Sequence, residues 1–337
     1  MTSRRLAVST VDYHTAGEPF RIVTGGVAPL VGRTILDKRR YARDHLDHVR
    51  RLLVYEPRGH TDMYGCFATT PEDGGADLGV VFFHNEGYST ACGHGTIALV
   101  TWALDSGLVP KAAPETRVVV DAPSGRLETR ATIDGGKVRA VRFTNVPSFV
   151  FARGLEVDIG EARLAADVAY GGAFYVSLDA AQLGLEISPG NLGAFIEAAR
   201  RIKGYMAGNH EVVHPEEPEL RDVYGVIFFE DLGSQDGRLR QRNLTVFADG
   251  EVDRSPCGSG TSARLALLDE AGTLPRGATL VHEGIAGGTF LGCVSGDARA
   301  GGYPAVVTEV EGSAHPTGTH RFVLDADDPL GEGFLLR

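Results

Sequence analysis

Ala91-Cys92-Gly93-His94-Gly95-Thr96-Ile97-Ala98 and Pro256-Cys257-Gly258-Ser259-Gly260-Thr261-Ser262-Ala263 carry Cys, both Gly, Thr and the final Ala at matching places. Extended without a gap, Gly107 meets Gly272 and Pro110 meets Pro275. The offset, 257 − 92 = 165, is close to half of the 337 residues. Such a repeat predicts two equivalent halves, each presenting one cysteine where a helix begins. The expected domains are residues 1–148 and 149–324, with a tail at about 325–337 returning to the first.

Around the repeat, short stretches rich in β-branched or aromatic residues read as strands. They are Leu6 to Asp12, Met63 to Thr69, Leu78 to Phe83, Val118 to Asp121, Arg142 to Val146, Val223 to Phe229, Asn243 to Ala248 and Ala305 to Glu311. Apolar residues spaced by three and four predict helices over Ile35 to Leu53 and Leu192 to Met206. Two more helices open just after Cys92 and Cys257. The chain is therefore α/β (α+β) with many strands.

Composition narrows the function. With 43% hydrophobic and 23% charged residues the chain can bury sizeable cores. A net charge of −11 repels phosphate backbones and argues against a nucleic-acid partner. No apolar run reaches the roughly 18 residues that a membrane span requires. The basic start, Met1-Thr2-Ser3-Arg4-Arg5, leads into an apolar stretch too short for a signal peptide and broken by Asp12. A cytoplasmic location is expected, where Cys66, Cys92, Cys257 and Cys293 stay reduced. Cys92-x-His94 is the one ligand-like spacing, and alone it does not make a metal site.

In each motif a turn presents Cys and Gly-x-Gly-Thr opens a helix. Thr96 and Thr261 lie in the first turn, where side-chain oxygens help satisfy free amides. The glycines allow close approach of a ligand to the backbone. First-turn N–H groups bind an anion such as a carboxylate. Their field also lowers a thiol pKa from about 8.5 towards neutrality. Two such ends facing one amino or hydroxy acid would place its α-carbon between two sulfurs. One thiolate removes the α-proton and the other thiol delivers a proton to the opposite face, with the carbanion-like transition state stabilised by the amides. Neither a metal nor pyridoxal phosphate is needed. Asp253, four residues before Cys257, suits a substrate ammonium, and His94 suits similar polar work. Cys66 and Cys293 read as small buried hydrophobes.

Rival readings use the same residues. Gly93-x-Gly95-x-x-Ala98 and Gly258-x-Gly260-x-x-Ala263 both fit the dinucleotide fingerprint of a Rossmann oxidoreductase. Several strands precede them, and a Cys before the first Gly has no role in pyrophosphate binding. A cysteine hydrolase explains one cysteine and leaves its twin unused. A zinc deaminase lacks the second ligand after Pro256-Cys257. A non-enzymatic amino-acid binding protein needs no paired thiols.

At Cys92-Gly93-His94-Gly95 and Asp253-Arg254-Ser255-Pro256-Cys257-Gly258-Ser259-Gly260 the chain resembles the proline racemase superfamily. The resemblance extends to Glu56-Pro57-Arg58-Gly59-His60-Thr61-Asp62-Met63-Tyr64-Gly65, His84-Asn85-Glu86-Gly87-Tyr88, Ala169-Tyr170-Gly171-Gly172-Ala173-Phe174-Tyr175 and Asp328-Pro329-Leu330-Gly331-Glu332-Gly333-Phe334-Leu335-Leu336. It implies a diaminopimelate-epimerase-like fold, two similar domains each wrapping strands around a central helix, with the site in the cleft between them. It implies proline or hydroxyproline as the small-molecule substrate, no cofactor and, often, a homodimer. By position, Cys92 and Cys257 would be the two bases. Amides of Gly93, His94, Gly258 and Ser259 would hold the carboxylate, and His94 with Asp253 the ring nitrogen. Tyr64, Phe82 and Phe247 would wall the pocket.

Arg39-Arg40-Tyr41, Asp44-His45-Leu46-Asp47-His48-Val49-Arg50-Arg51 and the tail look most like trans-3-hydroxy-L-proline dehydratases. Those enzymes usually carry Thr where this chain has Cys257, because one base suffices before the 3-hydroxyl leaves. Ser259 matches the dehydratase Gly-Ser-Gly. The residue that touches the proton outweighs background similarity, so inversion at Cα is the expected main reaction. Dehydration through Cys92 alone is the alternative.

Overall fold

The computed structural model describes residues 6–336; the basic start, Met1-Thr2-Ser3-Arg4-Arg5, and Arg337 lie outside them. The chain divides into two compact units, one holding residues up to Val141 and from Ser313 onward, the other Arg142–Gly312. In the first lie β1 (Ala7–Thr15), β2 (Glu18–Gly25), α1 (Ile35–His45), α2 (Asp47–Val54), β3 (Tyr64–Thr69), β4 (Leu78–His84), α3 (Gly93–Asp105), β5 (Glu115–Ala122) and β6 (Gly125–Asp134). Strand β7 (Lys137–Thr144) runs across the change of unit. The second holds β8 (Ser148–Asp158), β9 (Arg163–Tyr170), β10 (Phe174–Asp179), α4 (Leu192–Asn209), β11 (Val223–Gln235), β12 (Arg238–Phe247), β13 (Glu251–Asp253), α5 (Gly258–Glu270), β14 (Leu280–Glu283), β15 (Thr289–Ala300) and β16 (Tyr303–Gly312). β17 (Ala314–Val323) belongs to the first unit again.

The strand order exposes the repeat. In the first unit the order is β17–β1–β2–β3–β4–β5–β6, antiparallel except at β2–β3 and β4–β5. In the second it is β8–β9–β10–β11–β12–β14–β15, antiparallel except at β10–β11 and β12–β14. The parallel pairs fall at the same places because parallel strands need a crossover. α1 with α2, and α4, supply the first crossover of each unit; α3 and α5 supply the second. In the second unit β16 pairs with β15 and back with β8, so the strands close into a ring.

Each unit is built around its second crossover helix. α3 packs against β1, β2, β3, β6 and β17, and α5 against β8, β9, β10, β15 and β16. Eleven of the 13 residues of α3 and eleven of the 13 of α5 are buried. Helices covered on all sides need apolar surface all round, which Ile97-Ala98-Leu99-Val100 and Leu265-Ala266-Leu267-Leu268 provide. This arrangement overturns the dinucleotide-binding alternative. A Rossmann helix lies on one face of a parallel sheet and keeps a solvent stripe, whereas these helices are enclosed by strands of mixed sense.

Three local expectations change. The helix expected over Ile35 to Leu53 is two, broken at Leu46, whose φ −123° and ψ 12° leave the helical range. Leu46 buries its side chain beside Val49, Leu52 and Leu53, which sets the new direction. The strand expected at Arg142 to Val146 is centred earlier, as β7. The return to the first unit comes at Ser313 rather than about 325, since β17 pairs with β1 from Ala7 to Thr15. That stretch holds Pro316 and Gly318 and is largely exposed, so neither propensity nor alternation marks it. Among the described residues no helix is long and apolar enough to cross a membrane.

Candidate active site

In the first unit, Cys92 is the N-cap of α3, with extended backbone at φ −154°. Its Sγ accepts from the Gly95 amide at 3.2 Å. It also lies 3.4 Å from Nε2 and 3.6 Å from Nδ1 of His94. The second glycine of the motif makes room for this sulfur. A β-carbon on Gly95 would stand 2.6 Å from Sγ and 2.4 Å from the Phe20 ring. The His94 ring meets Tyr64 edge-on at 5.0 Å and Phe20 at 5.7 Å. The Tyr64 hydroxyl donates to Ser89 Oγ. Phe82 is wholly buried and joins this group through Phe20, at 6.3 Å between ring centres.

In the second unit, Cys257 is the N-cap of α5 and stands at φ 61°, ψ 104°. A residue with a β-carbon pays about 1–3 kcal/mol for such a backbone and holds it only where its surroundings insist. They do. The Cys257 amide donates to Ser255 Oγ at 3.1 Å, and that hydroxyl donates to Asp253 Oδ1 at 2.7 Å. The Asn243 side chain donates to the Pro256 carbonyl at 2.7 Å. Gly260 repeats the role of Gly95: a β-carbon there would lie 3.0 Å from the Cys257 sulfur.

Around Cys257 Sγ stand the Tyr175 hydroxyl at 3.6 Å and Ser259 Oγ at 3.9 Å. Those two oxygens are 2.7 Å apart. Phe247 stacks on Tyr224 at 5.5 Å, and Tyr224 meets Tyr175 edge-on at 5.9 Å. Gly93 and Gly258 are the first residues of their helices, where N–H groups lack intrahelical partners.

Two chemical expectations need correction. Thr96 and Thr261 do not accept from first-turn amides; their hydroxyls donate back to the carbonyls of Cys92 (2.9 Å) and Cys257 (2.8 Å). Nor is the Cys257 thiol brought towards neutrality. Burial pushes it up to about 12, reinforced by the Asp253 charge and opposed by the Tyr175, Gly260 and Ser259 donors. Complete desolvation of the thiolate costs more than one helix end returns. Cys66 is buried on β3, as its apolar reading required, while Cys293 is only half-buried on β15. Among the described residues no three His, Cys, Asp or Glu side chains form a group that could hold a metal ion.

Within each unit, then, the residues singled out in the sequence fall into one neighbourhood. Phe20, Ser89, Tyr175 and Ser255 join them unannounced. Tyr175 stands inside a stretch quoted above for its resemblance, yet nothing in a strand pattern tells which tyrosine points at a sulfur.

The proline racemase family model matches residues 10–335. The chain belongs to the proline racemase family. Among curated relatives of this family, a trans-3-hydroxy-L-proline dehydratase of Bacillus cereus is 45% identical over 97% of this chain and 98% of its own. A 3-hydroxyproline 2-epimerase of Burkholderia multivorans is 47% identical over 98% of each. A solved hydroxyproline epimerase from Agrobacterium vitis, with bound trans-4-hydroxy-L-proline, is 32% identical with a TM-score of 0.91, covering 100% of this chain and 97% of its own. The TM-score shows that the chain shares the fold of that hydroxyproline epimerase.

Proposed function

We propose that this proline racemase family member inverts Cα of a proline or hydroxyproline by a two-base proton transfer between Cys92 and Cys257. The supporting observation is that both repeats seat a cysteine sulfur over the second glycine of a helix N-terminus. The substrate carboxylate is held by the amides of Gly93 and His94 and of Gly258 and Ser259. His94 and Asp253 meet the ring nitrogen, and Tyr64, Phe82 and Phe247 bound the ring. One sulfur takes the α-proton as thiolate. The other, as thiol, returns a proton to the opposite face. The chemistry draws only on the protein's own groups. The free thiols suit a reducing compartment, and the chain acts in the cytoplasm as a homodimer.

A second reading has its own support. Relatives 45% identical carry the name trans-3-hydroxy-L-proline dehydratase, and that reaction needs one base, Cys92, to remove the α-proton before the 3-hydroxyl departs. Proton NMR in D₂O separates the two. Proline, trans-4-hydroxy-L-proline and trans-3-hydroxy-L-proline are each incubated with the protein. Loss of the α signal with a new diastereomer is inversion; for proline, whose enantiomers share one spectrum, chiral chromatography of the product reads it. A ketimine product is dehydration. No change with any of the three removes both readings.

A further inference from the structure

The two sulfurs have different neighbours. Cys92 is met by an amide and an imidazole, Cys257 by two hydroxyls. The difference follows the strand register. Tyr175 on β10 pairs with Gly225 of β11, which pairs with Phe247, the last residue of β12. The matching place in the first unit pairs Phe20 of β2 with Tyr64 of β3, and Tyr64 with His84, the last residue of β4. A phenyl ring without a hydroxyl thus stands beside Cys92 where a phenol stands beside Cys257.

We propose that Tyr175, steered by Ser259, is a positioning residue that sets the charge state of Cys257 by reversing a chain of hydrogen bonds. It rests on the reading of Cys257 as a proton carrier. With the thiol neutral, Sγ–H donates to the Tyr175 oxygen at 3.6 Å, and the phenol spends its own proton on Ser259 Oγ at 2.7 Å. When Cys257 has given its proton to the substrate carbon, both hydroxyls turn. Ser259 donates to Tyr175, and the phenol donates to the thiolate. No proton moves along the chain; two O–H bonds rotate, and the sulfur changes from donor to acceptor without losing a partner. Hydrogen bonds to an ionised acceptor are roughly twice as strong as neutral ones, so the reversed chain favours the thiolate.

Tyr175 is suited to turning rather than ionising. It is 1% exposed, and burial together with the nearby Cys257 keeps its hydroxyl protonated well above the usual phenol range. Its ring is fixed among Ala169, Ala173, Ile227 and Ala263. Gly171 lets the β9–β10 turn approach α5, since a β-carbon there would lie 2.2 Å from the Ser259 carbonyl oxygen. The strand that carries the phenol and the helix that carries the sulfur are therefore held together by backbone contact.

The test is iodoacetamide alkylation of the full-length protein at pH 8, with Cys92 and Cys257 followed separately by mass spectrometry. Below its midpoint a thiol is alkylated in proportion to its thiolate fraction. Tyr175→Phe should slow Cys257 at least tenfold and leave Cys92 unchanged. Placing 3,5-difluorotyrosine at position 175, which keeps the ring and makes a stronger donor, should accelerate Cys257 several-fold, and it serves if the phenylalanine variant fails to fold. An unchanged Cys257 rate in both variants overturns the proposal. So does faster alkylation in Tyr175→Phe, which would mean that the ring merely blocks access. Neither readout involves a substrate. A wild-type protein that exchanges the α-proton of none of proline, trans-4-hydroxy-L-proline and trans-3-hydroxy-L-proline would sink the proposed function while leaving the alkylation result to be judged separately.

Discussion

The sulfur of Cys92 occupies the space that a β-carbon on Gly95 would need, 2.6 Å away. The glycine is thus a seat for the sulfur, and its amide is the donor that holds the atom there, at 3.2 Å. Gly95→Ala should displace the sulfur and the Phe20 ring and cut turnover about 100-fold, the usual cost of a misplacement near 1 Å. Gly260→Ala, with 3.0 Å to its sulfur, should cost less. Steady-state rates of the two variants check the order; equal and small losses would contradict the seating role.

Cys257→Thr and Cys257→Ser should both abolish inversion, because a hydroxyl is too weak an acid to exchange roles with a thiolate. Any dehydration of trans-3-hydroxy-L-proline should survive, as it draws on Cys92. Threonine carries the extra burden of a branched side chain at φ 61°, so the serine variant is the cleaner comparison. Chiral chromatography of products reads the first outcome and ketimine formation the second. Inversion at the unaltered rate in both variants would remove Cys257 from the mechanism.

Much of this neighbourhood was legible from residues alone. The paired Cys-Gly-x-Gly-Thr motifs announced two halves and two helix starts because a tight turn over a glycine has few sequence solutions. That strands enclose each helix came from the family resemblance rather than from the residues of the helices. The raised Cys257 thiol was not legible. It depended on weighing a helix end against complete burial, and burial is a property of the strands around Cys257 rather than of its neighbours in sequence. Tyr175 was hidden for the same reason: its 82-residue separation from Cys257 is bridged by strand pairing. β17 escaped notice because an exposed strand carrying Pro316 and Gly318 has no alternation to betray it.

Arg21 and Asp12 form a buried ion pair, with Nη2 to Oδ2 at 2.8 Å and side chains 6% and 10% exposed. The guanidinium also donates to the carbonyls of Leu53 and Arg58 and lies over the Phe322 ring. Arg21→Met leaves a carboxylate without its charge partner in the interior and should cost about 3 kcal/mol. The double variant Arg21→Met with Asp12→Leu should recover much of that loss. Urea unfolding midpoints measure both; a double variant no better than the single one would contradict the charge argument.

His282 is wholly buried, with Nδ1 2.8 Å from Thr261 Oγ1. Burial, helped by the Arg264 charge, pushes its imidazole down to about 3. The folded value lies below the unfolded value near 6.5, so the unfolded chain binds the proton first as pH falls. Stability from this residue is intact above about 6.5 and declines as pH drops towards 3. His282→Gln should flatten the fall in unfolding free energy between pH 6 and 4.5 by up to about 1.4 kcal/mol per pH unit. Chemical denaturation across that range would show it, and identical slopes would place the acid sensitivity elsewhere.

The pairing of β1 with β17 joins Ala7–Thr15 to Ala314–Val323. A ribosome delivers residues in order, so β1 emerges long before its neighbour exists. The unit of Arg142–Gly312 is uninterrupted and can condense as soon as it is released. The unit that holds β1 must wait, one flank of that strand unclaimed, until Ala314–Val323 has been made. Truncation just before Ser313 would therefore injure the unit that is begun first and spare the unit of Arg142–Gly312.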